Sequence, residues 1–141
     1  MDPLEETIDA VLSRFRSVAV VGISDNPARP SHEVASYLLA HGFVVTPVNP
    51  RLGEVLGRPC LPSLADAPRP LEIVDVFRRS EEAGAVVDEA IAAGARAVWL
   101  QEGVVDEAAA ARARAAGLLV VMDRCMLKEH ALRAARGGIQ A

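Results

Sequence analysis

The amino-acid sequence predicts an α/β protein built on a doubly wound, five-stranded parallel sheet with helices on both faces. Short apolar runs of strand length alternate with amphipathic segments of helical period along the chain. The runs are apolar at consecutive positions, which is typical of strands buried on both faces. The chain has 141 residues, 51% of them hydrophobic, which suits one domain with a sizeable core.

The N-terminal part of the chain contains a helix, a strand and a second helix. Residues 3–15 place apolar side chains on one helical face, and Asp2 can cap the first turn. The first predicted strand, SVAVVGI, spans residues 17–23. Ser31 is a candidate cap for the next helix, over residues 32–41.

The middle of the chain contains two further strands with a long connection between them. The second predicted strand, FVVTPV, spans residues 43–48, and residues 49–62 are rich in Pro and Gly and predict a loop. One helical turn is expected after Ser63. The third predicted strand, LEIVDVF, spans residues 71–77, and Ser80 is expected to cap the helix that follows.

The last part of the chain repeats the alternation. A fourth strand is predicted over residues 95–101 and a fifth over residues 118–123. Asp106 can cap the helix between them, and a final helix is expected over residues 125–136. We therefore expect a single three-layer domain over residues 1–141, with its core at 17–136.

Right-handed crossovers between such strands give a Rossmann-like sheet, for which we expect the strand order 3-2-1-4-5 counted along the chain. Ligands bind such sheets at the carboxyl ends of the strands, where the order reverses. The expected crevice therefore lies between the first and fourth strands. Residues 22–31 and 101–106 would face it.

Composition excludes several functional classes. The net charge of −4 disfavours a general nucleic-acid binder, which needs a basic face. No apolar run approaches the ~18 residues of a membrane span, and no signal peptide is recognisable. Cys60, Cys125 and the three histidines lack metal-ligand spacing. We expect a cytoplasmic protein that binds no nucleic acid, membrane or metal ion.

An NAD(P)-dependent oxidoreductase is permitted by the fold but opposed by the motifs. A dinucleotide fingerprint that begins at Gly22 needs glycines at positions 24 and 27, where the chain has Ser24 and Pro27. An acidic residue is also expected near the end of the second strand, where the sequence is Val48-Asn49-Pro50.

Four motifs in order carry a family resemblance. They are VAVVGISDNPARPSHEVASYLLAHGFVVTPVNP at 18–50, DVFRRSE at 75–81, AVWLQEGV at 97–104 and VMDRC at 121–125. Together they resemble the small stand-alone CoA-binding proteins, which share their fold with the CoA-binding domain of the succinyl-CoA synthetase α subunit. The resemblance implies a chain that binds coenzyme A or an acyl-CoA, with no established catalytic activity of its own.

By position, the resemblance also implies which residues contact the ligand. The loop after the first strand would hold the phosphates with Gly22, Ile23, Ser24, Asp25, Arg29 and Ser31. Val48, Asn49 and Pro50 would line the adenosine side, and Val76, Phe77 and Arg78 would border the nucleotide and pantetheine. Leu100, Gln101 and Glu102 would lie along the pantetheine. Alternation along an extended segment predicts that Arg78 meets a phosphate and Arg79 faces solvent.

The resemblance does not extend to ligase activity, because the synthetase's phosphorylated histidine lies in a second domain and none of the three histidines here lies in a matching motif. A thiol- or acyl-transfer enzyme or subunit that uses Cys125 is a further alternative. Cys125 would begin the last helix, where the helix dipole and Arg124 would favour its thiolate. A bound CoA that reached it could form a reversible mixed disulfide. The other interpretation is a packed, unreactive thiol.

Overall fold

The computed structural model describes residues 2–138, so residue 1 and residues 139–141 of the predicted domain lie outside it. The helices in that range are α1 (Pro3–Arg14), α2 (Pro30–Ala40), α3 (Ser80–Ala92), α4 (Glu107–Ala115) and α5 (Met126–Ala135). The strands are β1 (Ser17–Val21), β2 (Val44–Val48), β3 (Glu54–Val55), β4 (Arg58–Pro59), β5 (Ile73–Val76), β6 (Ala97–Leu100) and β7 (Leu119–Val121). None of these helices is long and apolar enough to cross a membrane.

Five strands form the main sheet, in the order β2-β1-β5-β6-β7, and each pairs in parallel with its neighbours. Val20 of β1 packs on one face with buried side chains of α1, α2 and α5. Val21 packs on the other face with side chains of α3 and α4. Successive strand residues point to opposite faces, so both faces of the sheet are covered. This confirms the predicted doubly wound sheet in three layers.

The strand order differs from the predicted one. Counted along the chain, the strands of the main sheet lie in the order 2-1-3-4-5, with β2 at an edge. Pro47 explains this position: it pairs with Val20 of β1, and its carbonyl accepts a hydrogen bond from the N–H of Leu61 at 2.9 Å. Proline has no N–H to give to a further strand, so its strand belongs at an edge. The order therefore reverses between β1 and β5, not between the first and fourth strands.

The connection from β2 to β5 was expected to be a loop with one helical turn. It contains the antiparallel hairpin β3–β4, and Leu61 then forms a bridge with Val48 of β2. The turn is present as a 3-10 helix over Leu64–Asp66, where the Ser63 hydroxyl accepts from the N–H of Ala65 at 3.2 Å. This segment carries the chain from one edge of the sheet back to its centre.

Among the caps predicted for the α-helices, two are confirmed and two are wrong. Asp2 accepts from the N–H of Leu4, and Asp106 accepts from the N–H of Ala109. Helix α2 begins at Pro30, ahead of Ser31, because the fixed φ of proline suits the first helical position. Helix α3 begins at Ser80 itself, whose hydroxyl instead donates to Gly103 and accepts from Val105. Arginines 29 and 79 occupy the N-cap positions.

Candidate functional site

A cleft of about 810 Å³ lies at the carboxyl ends of the parallel strands. The segments that follow β2, β1, β5, β6 and β7 each contribute residues to its lining. Its volume falls in the range of small-molecule sites. The cleft lies where the strand order reverses between β1 and β5, and doubly wound sheets bind ligands at that place.

Gly22 ends β1 and forms part of the cleft lining. Its φ of +86° lies in the left-handed region, and its N–H donates to the carbonyl of Val48 at 2.9 Å. A Cβ built at this position would overlap the backbone carbonyl oxygen of Phe77. Only glycine therefore allows the segments after β1 and β5 to approach this closely.

The loop between β1 and α2 is held in shape by its own polar groups. The Ser31 hydroxyl, which is buried, accepts from the N–H of Ser24 at 2.9 Å. The Ser24 hydroxyl accepts from the N–H of Asn26 at 3.0 Å. Across from it, the Asn49 amide donates to the carbonyl of Ile23 at 2.8 Å. The loop is thus preorganised, and it leaves Asp25, Arg29 and Pro30 exposed on the cleft.

Three cleft arginines form no ion pair within 4.0 Å of a carboxylate of residues 2–138. Arg51 follows β2, Arg29 lies in the loop after β1, and Arg78 follows β5. Their strands are neighbours in the sheet, so these guanidinium groups lie along one stretch of the cleft. Guanidinium groups recognise phosphate and carboxylate oxygens through paired hydrogen bonds. This part of the cleft is therefore suited to an anion.

The other cationic groups of the cleft are already paired. Arg79 is 74% exposed, and its Nε lies 3.1 Å from a carboxylate oxygen of Glu82. The carboxylate of Glu82 holds the pKa of Arg79 above its usual range. Lys128 of α5 lies 3.0 Å from Glu102 in the loop after β6. Arg78 is half-buried, whereas Arg79 faces solvent as the sequence predicted. The contact of Arg78 with a phosphate stays a prediction.

A buried carboxyl group lies at the end of β5. Asp75 is completely buried, and the Gln101 amide donates to its Oδ1. Its Oδ2 has no hydrogen-bond partner among residues 2–138. Burial raises the pKa of Asp75 to about 7, and the hydrogen bond from Gln101 opposes this rise. An unpaired carboxyl oxygen is unfavourable in an apolar interior, and the Gln101 amide that binds Oδ1 is the group that connects Asp75 to the cleft lining.

Cys125 occupies the N-cap position of α5 and lines the cleft, half-buried. Burial raises the pKa of its thiol, and the charges of Glu102 and Asp75 raise it further. The backbone N–H groups of Leu127 and Lys128 oppose this rise. The expected lowering of the Cys125 pKa is therefore wrong, because desolvation outweighs the helix terminus. Cys125 is nevertheless part of the cleft lining.

The family of the chain follows from a comparison over nearly its whole length. The family described as the CoA binding domain matches residues 16–131. The chain belongs to this family. The match confirms the resemblance carried by the four sequence motifs, and it spans the cleft-lining residues from Gly22 to Lys128.

Relatives of this CoA-binding-domain chain share both sequence and fold. The uncharacterized protein YneT of Bacillus subtilis is 38% identical over 131 residues, which cover 93% of this chain and 97% of YneT. A hypothetical protein from Pyrococcus horikoshii is 42% identical, with a TM-score of 0.87 and coverage of 91% and 90%. The dinucleotide-forming acetyl-coenzyme A synthetase 1 of Ca. Korarchaeum cryptofilum is 22% identical, with a TM-score of 0.70. Its likeness covers 82% of this chain and 27% of the synthetase, and it shows a shared fold.

The structure brings most of the predicted contact residues to the cleft. The lining contains Gly22, Ile23, Ser24, Asp25, Arg29 and Ser31, together with Asn49, Phe77, Arg78, Gln101 and Glu102. Val48, Val76 and Leu100 lie instead in the buried core beneath α3 and α4, and Pro50 is exposed outside the lining. Strand alternation explains the difference, because each core residue precedes a lining residue that points the other way.

Several lining residues were not predicted. Arg51 and Leu52 come directly after the segment expected beside the adenosine, so a wider window would have included them. Lys128 lies one turn after Cys125 on the final helix. Asp75 lies outside the lining, but it is the one acidic residue of β5, and a carboxyl group within a buried strand is an uncommon placement that the sequence displays.

Proposed function

We propose that this chain binds coenzyme A or an acyl-CoA in the cleft, as one domain and without a catalytic activity of its own. The observation that carries the proposal is the family match over residues 16–131, which includes the cleft lining from Gly22 to Lys128. The preformed loop after β1 and the unpaired arginines support the proposal from the chemistry of the site.

The order of side chains along the sheet suggests the direction of the ligand. The unpaired arginines follow β2, β1 and β5, whereas Gln101 and Cys125 follow β6 and β7. Coenzyme A has phosphates at its nucleotide end, a thiol at the other end and an uncharged pantetheine chain between them. The arginines suit the phosphates, so the thiol would lie toward Cys125.

The proposal is tested by calorimetric titration of the chain with CoA, with NAD and pantetheine as comparison ligands. CoA is expected to bind more tightly than either, because pantetheine lacks the phosphates and NAD lacks the thiol arm. Absence of CoA binding at millimolar concentration would contradict the proposal. Tighter binding of NAD than of CoA would favour the oxidoreductase alternative.

Arg78 and Arg79 provide a matched pair for the same titration. A hydrogen bond to a charged group contributes about 1.5–3 kcal/mol, so Arg78→Ala should weaken CoA binding by roughly ten- to a hundredfold. Arg79→Ala should change affinity little, since Arg79 is exposed and paired with Glu82. A larger loss for Arg79→Ala would reverse the assignment. A cytoplasmic location stays a prediction, which cell fractionation checks.

A further inference from the structure

The side chain of Gln101 lies in the cleft lining just after β6, although only 4% of the residue is exposed. Its backbone is held from both sides: its N–H donates to the carbonyl of Val76 at 3.4 Å, and its carbonyl accepts from the N–H of Val104 at 2.9 Å. The side-chain Nε2 donates to Oδ1 of Asp75. The residue is therefore fixed at its backbone and at the nitrogen of its amide.

The oxygen of the same amide is open to the cleft. Within residues 2–138, Oε1 of Gln101 forms no hydrogen bond. The one buried side-chain oxygen or nitrogen without a partner in that range is Oδ2 of Asp75, so Oε1 is accessible. The surface that Gln101 lines is the cleft. An amide oxygen held in this way accepts a hydrogen bond from an N–H or O–H group of a ligand.

The carboxyl group of Asp75 determines which end of the Gln101 amide faces the cleft. A carboxylate only accepts hydrogen bonds, so the end of the amide beside Asp75 is the NH₂ group. The neighbours of Asp75 in the sheet register are Val20 and Trp99. Val20 is apolar, and the indole N–H of Trp99 donates to the carbonyl of Arg124 at 2.9 Å. With an apolar side chain at position 75, either end of the amide could turn to the cleft.

We propose that Asp75 is a positioning residue that holds the Gln101 amide with Oε1 toward the cleft, so that the cleft selects a ligand with an N–H donor at this place. The inference rests on the proposed function, because the pantetheine chain of coenzyme A carries amide N–H groups and would lie between the arginines and Cys125. Asp75 lies outside the lining, so it acts through Gln101. Coenzyme A is then recognised along its uncharged chain as well as at its phosphates.

The energetics of the Asp75 carboxyl favour this role over a contribution to stability. The group is completely buried, and one of its oxygens has no partner among residues 2–138. A charged group in an apolar interior is unfavourable, so its replacement by an apolar side chain removes a cost of folding. Asp75→Val also suits a buried strand, where β-branched side chains are favoured. We therefore expect this variant to fold, with the Gln101 amide no longer held.

The test compares the affinities of CoA and adenosine 3′,5′-bisphosphate, which has phosphates and adenosine but no pantetheine amide. Calorimetry at pH 8 keeps a carboxyl with a pKa of about 7 mainly ionised. Asp75→Val should weaken CoA binding by about three- to tenfold, the contribution of one hydrogen bond, and leave the affinity for the bisphosphate unchanged. Asp75→Asn keeps an oxygen that accepts from Gln101, so it should restore most of the CoA affinity.

A double variant tests whether Asp75 acts through Gln101. Gln101→Met removes the acceptor and should weaken CoA binding by a similar about three- to tenfold. Because both changes remove the same hydrogen bond to the ligand, Asp75→Val combined with Gln101→Met should lose no more affinity than Gln101→Met alone.

Several results would overturn the positioning role. They are an unchanged CoA affinity in Asp75→Val, equal losses for CoA and the bisphosphate in that variant, an equal loss of CoA affinity in Asp75→Asn, and additive losses in the double variant. Absence of CoA binding to the unchanged chain would instead overturn the proposed function.

Discussion

Asp75 should make the stability of the chain fall as pH rises toward neutrality. The residue is completely buried, and burial raises its pKa to about 7. Replacement by asparagine removes the ionisable group and keeps an oxygen that can accept the hydrogen bond from Gln101. The comparison of Asp75→Asn with the unchanged chain therefore isolates the free energy of ionising one buried carboxyl.

The direction and size of this change in the free energy of unfolding with pH follow from proton linkage. An unfolded Asp with a pKa of 3.8 loses its proton before the folded Asp75, whose pKa is about 7. Between these values the folded state binds more protons, so stability is fully present below pH 3.8 and is lost as pH rises to about 7. At about 1.4 kcal/mol per pKa unit, the loss is about 4 kcal/mol. This is a large part of a typical domain's stability.

Urea unfolding of both proteins from pH 4 to pH 8 measures this effect. The free energy of unfolding of Asp75→Asn, less that of the unchanged chain, should increase by about 4 kcal/mol across this range. Groups shared by both proteins cancel, including Glu72, whose pKa is held low by the N–H groups of Arg16 and Ser17 despite its partial burial. A difference that stays constant from pH 4 to pH 8 would refute the reasoning.

Two further predictions concern the frame of the site and an ion-pair cluster away from it. Gly22→Ala should lower both stability and CoA affinity, because its Cβ overlaps the carbonyl of Phe77. The control is Gly42→Ala, at a φ of +87° with no atom within 4 Å of its Cβ, which should lower the free energy of unfolding by only about 1 kcal/mol. Equal losses in urea unfolding would contradict the close approach. Arg133→Ala should destabilise the chain by about 3 kcal/mol, because its buried guanidinium binds Asp9 at 2.6 Å and two other carboxylates. CoA affinity, measured by calorimetry, should not change, and a loss of affinity would contradict the separation of this cluster from the cleft.

The helices and strands of the main sheet could be predicted from the sequence because each has a local signal. Buried positions on α3, for example, follow the helical spacing of Ala83, Val86, Val87 and Ala90. The apolar pattern does not fix the helix ends: α2 begins two residues before its predicted start because Pro30 takes the first helical position. Local patterns decide what each segment forms but carry little information on which strands become neighbours.

The predicted contact residues could not be placed from hydrophobic periodicity alone. The residues that the family motifs predicted as contacts lie at the ends of the strands, but strand alternation places Val76 in the core and Phe77 in the cleft lining. The ion pair of Lys128 with Glu102 joins helix α5 to the loop after β6, 26 residues apart in sequence, so no short segment of sequence predicts it. The raised pKa of Cys125 likewise depends on burial by the surrounding elements.

The strand order brings Asp75, Gln101 and Cys125 together near one end of the cleft. In the predicted order, β5 would lie at an edge of the sheet, separated from β6 by two other strands. In the structure β5 lies between β1 and β6, which brings Asp75 within reach of the Gln101 amide. Strand β7 follows next, so the chain that leaves it reaches Cys125 at the same end of the cleft. The edge position imposed by Pro47 on β2 therefore has a consequence beyond the fold: it leaves the centre of the sheet to the strand that carries the buried carboxyl.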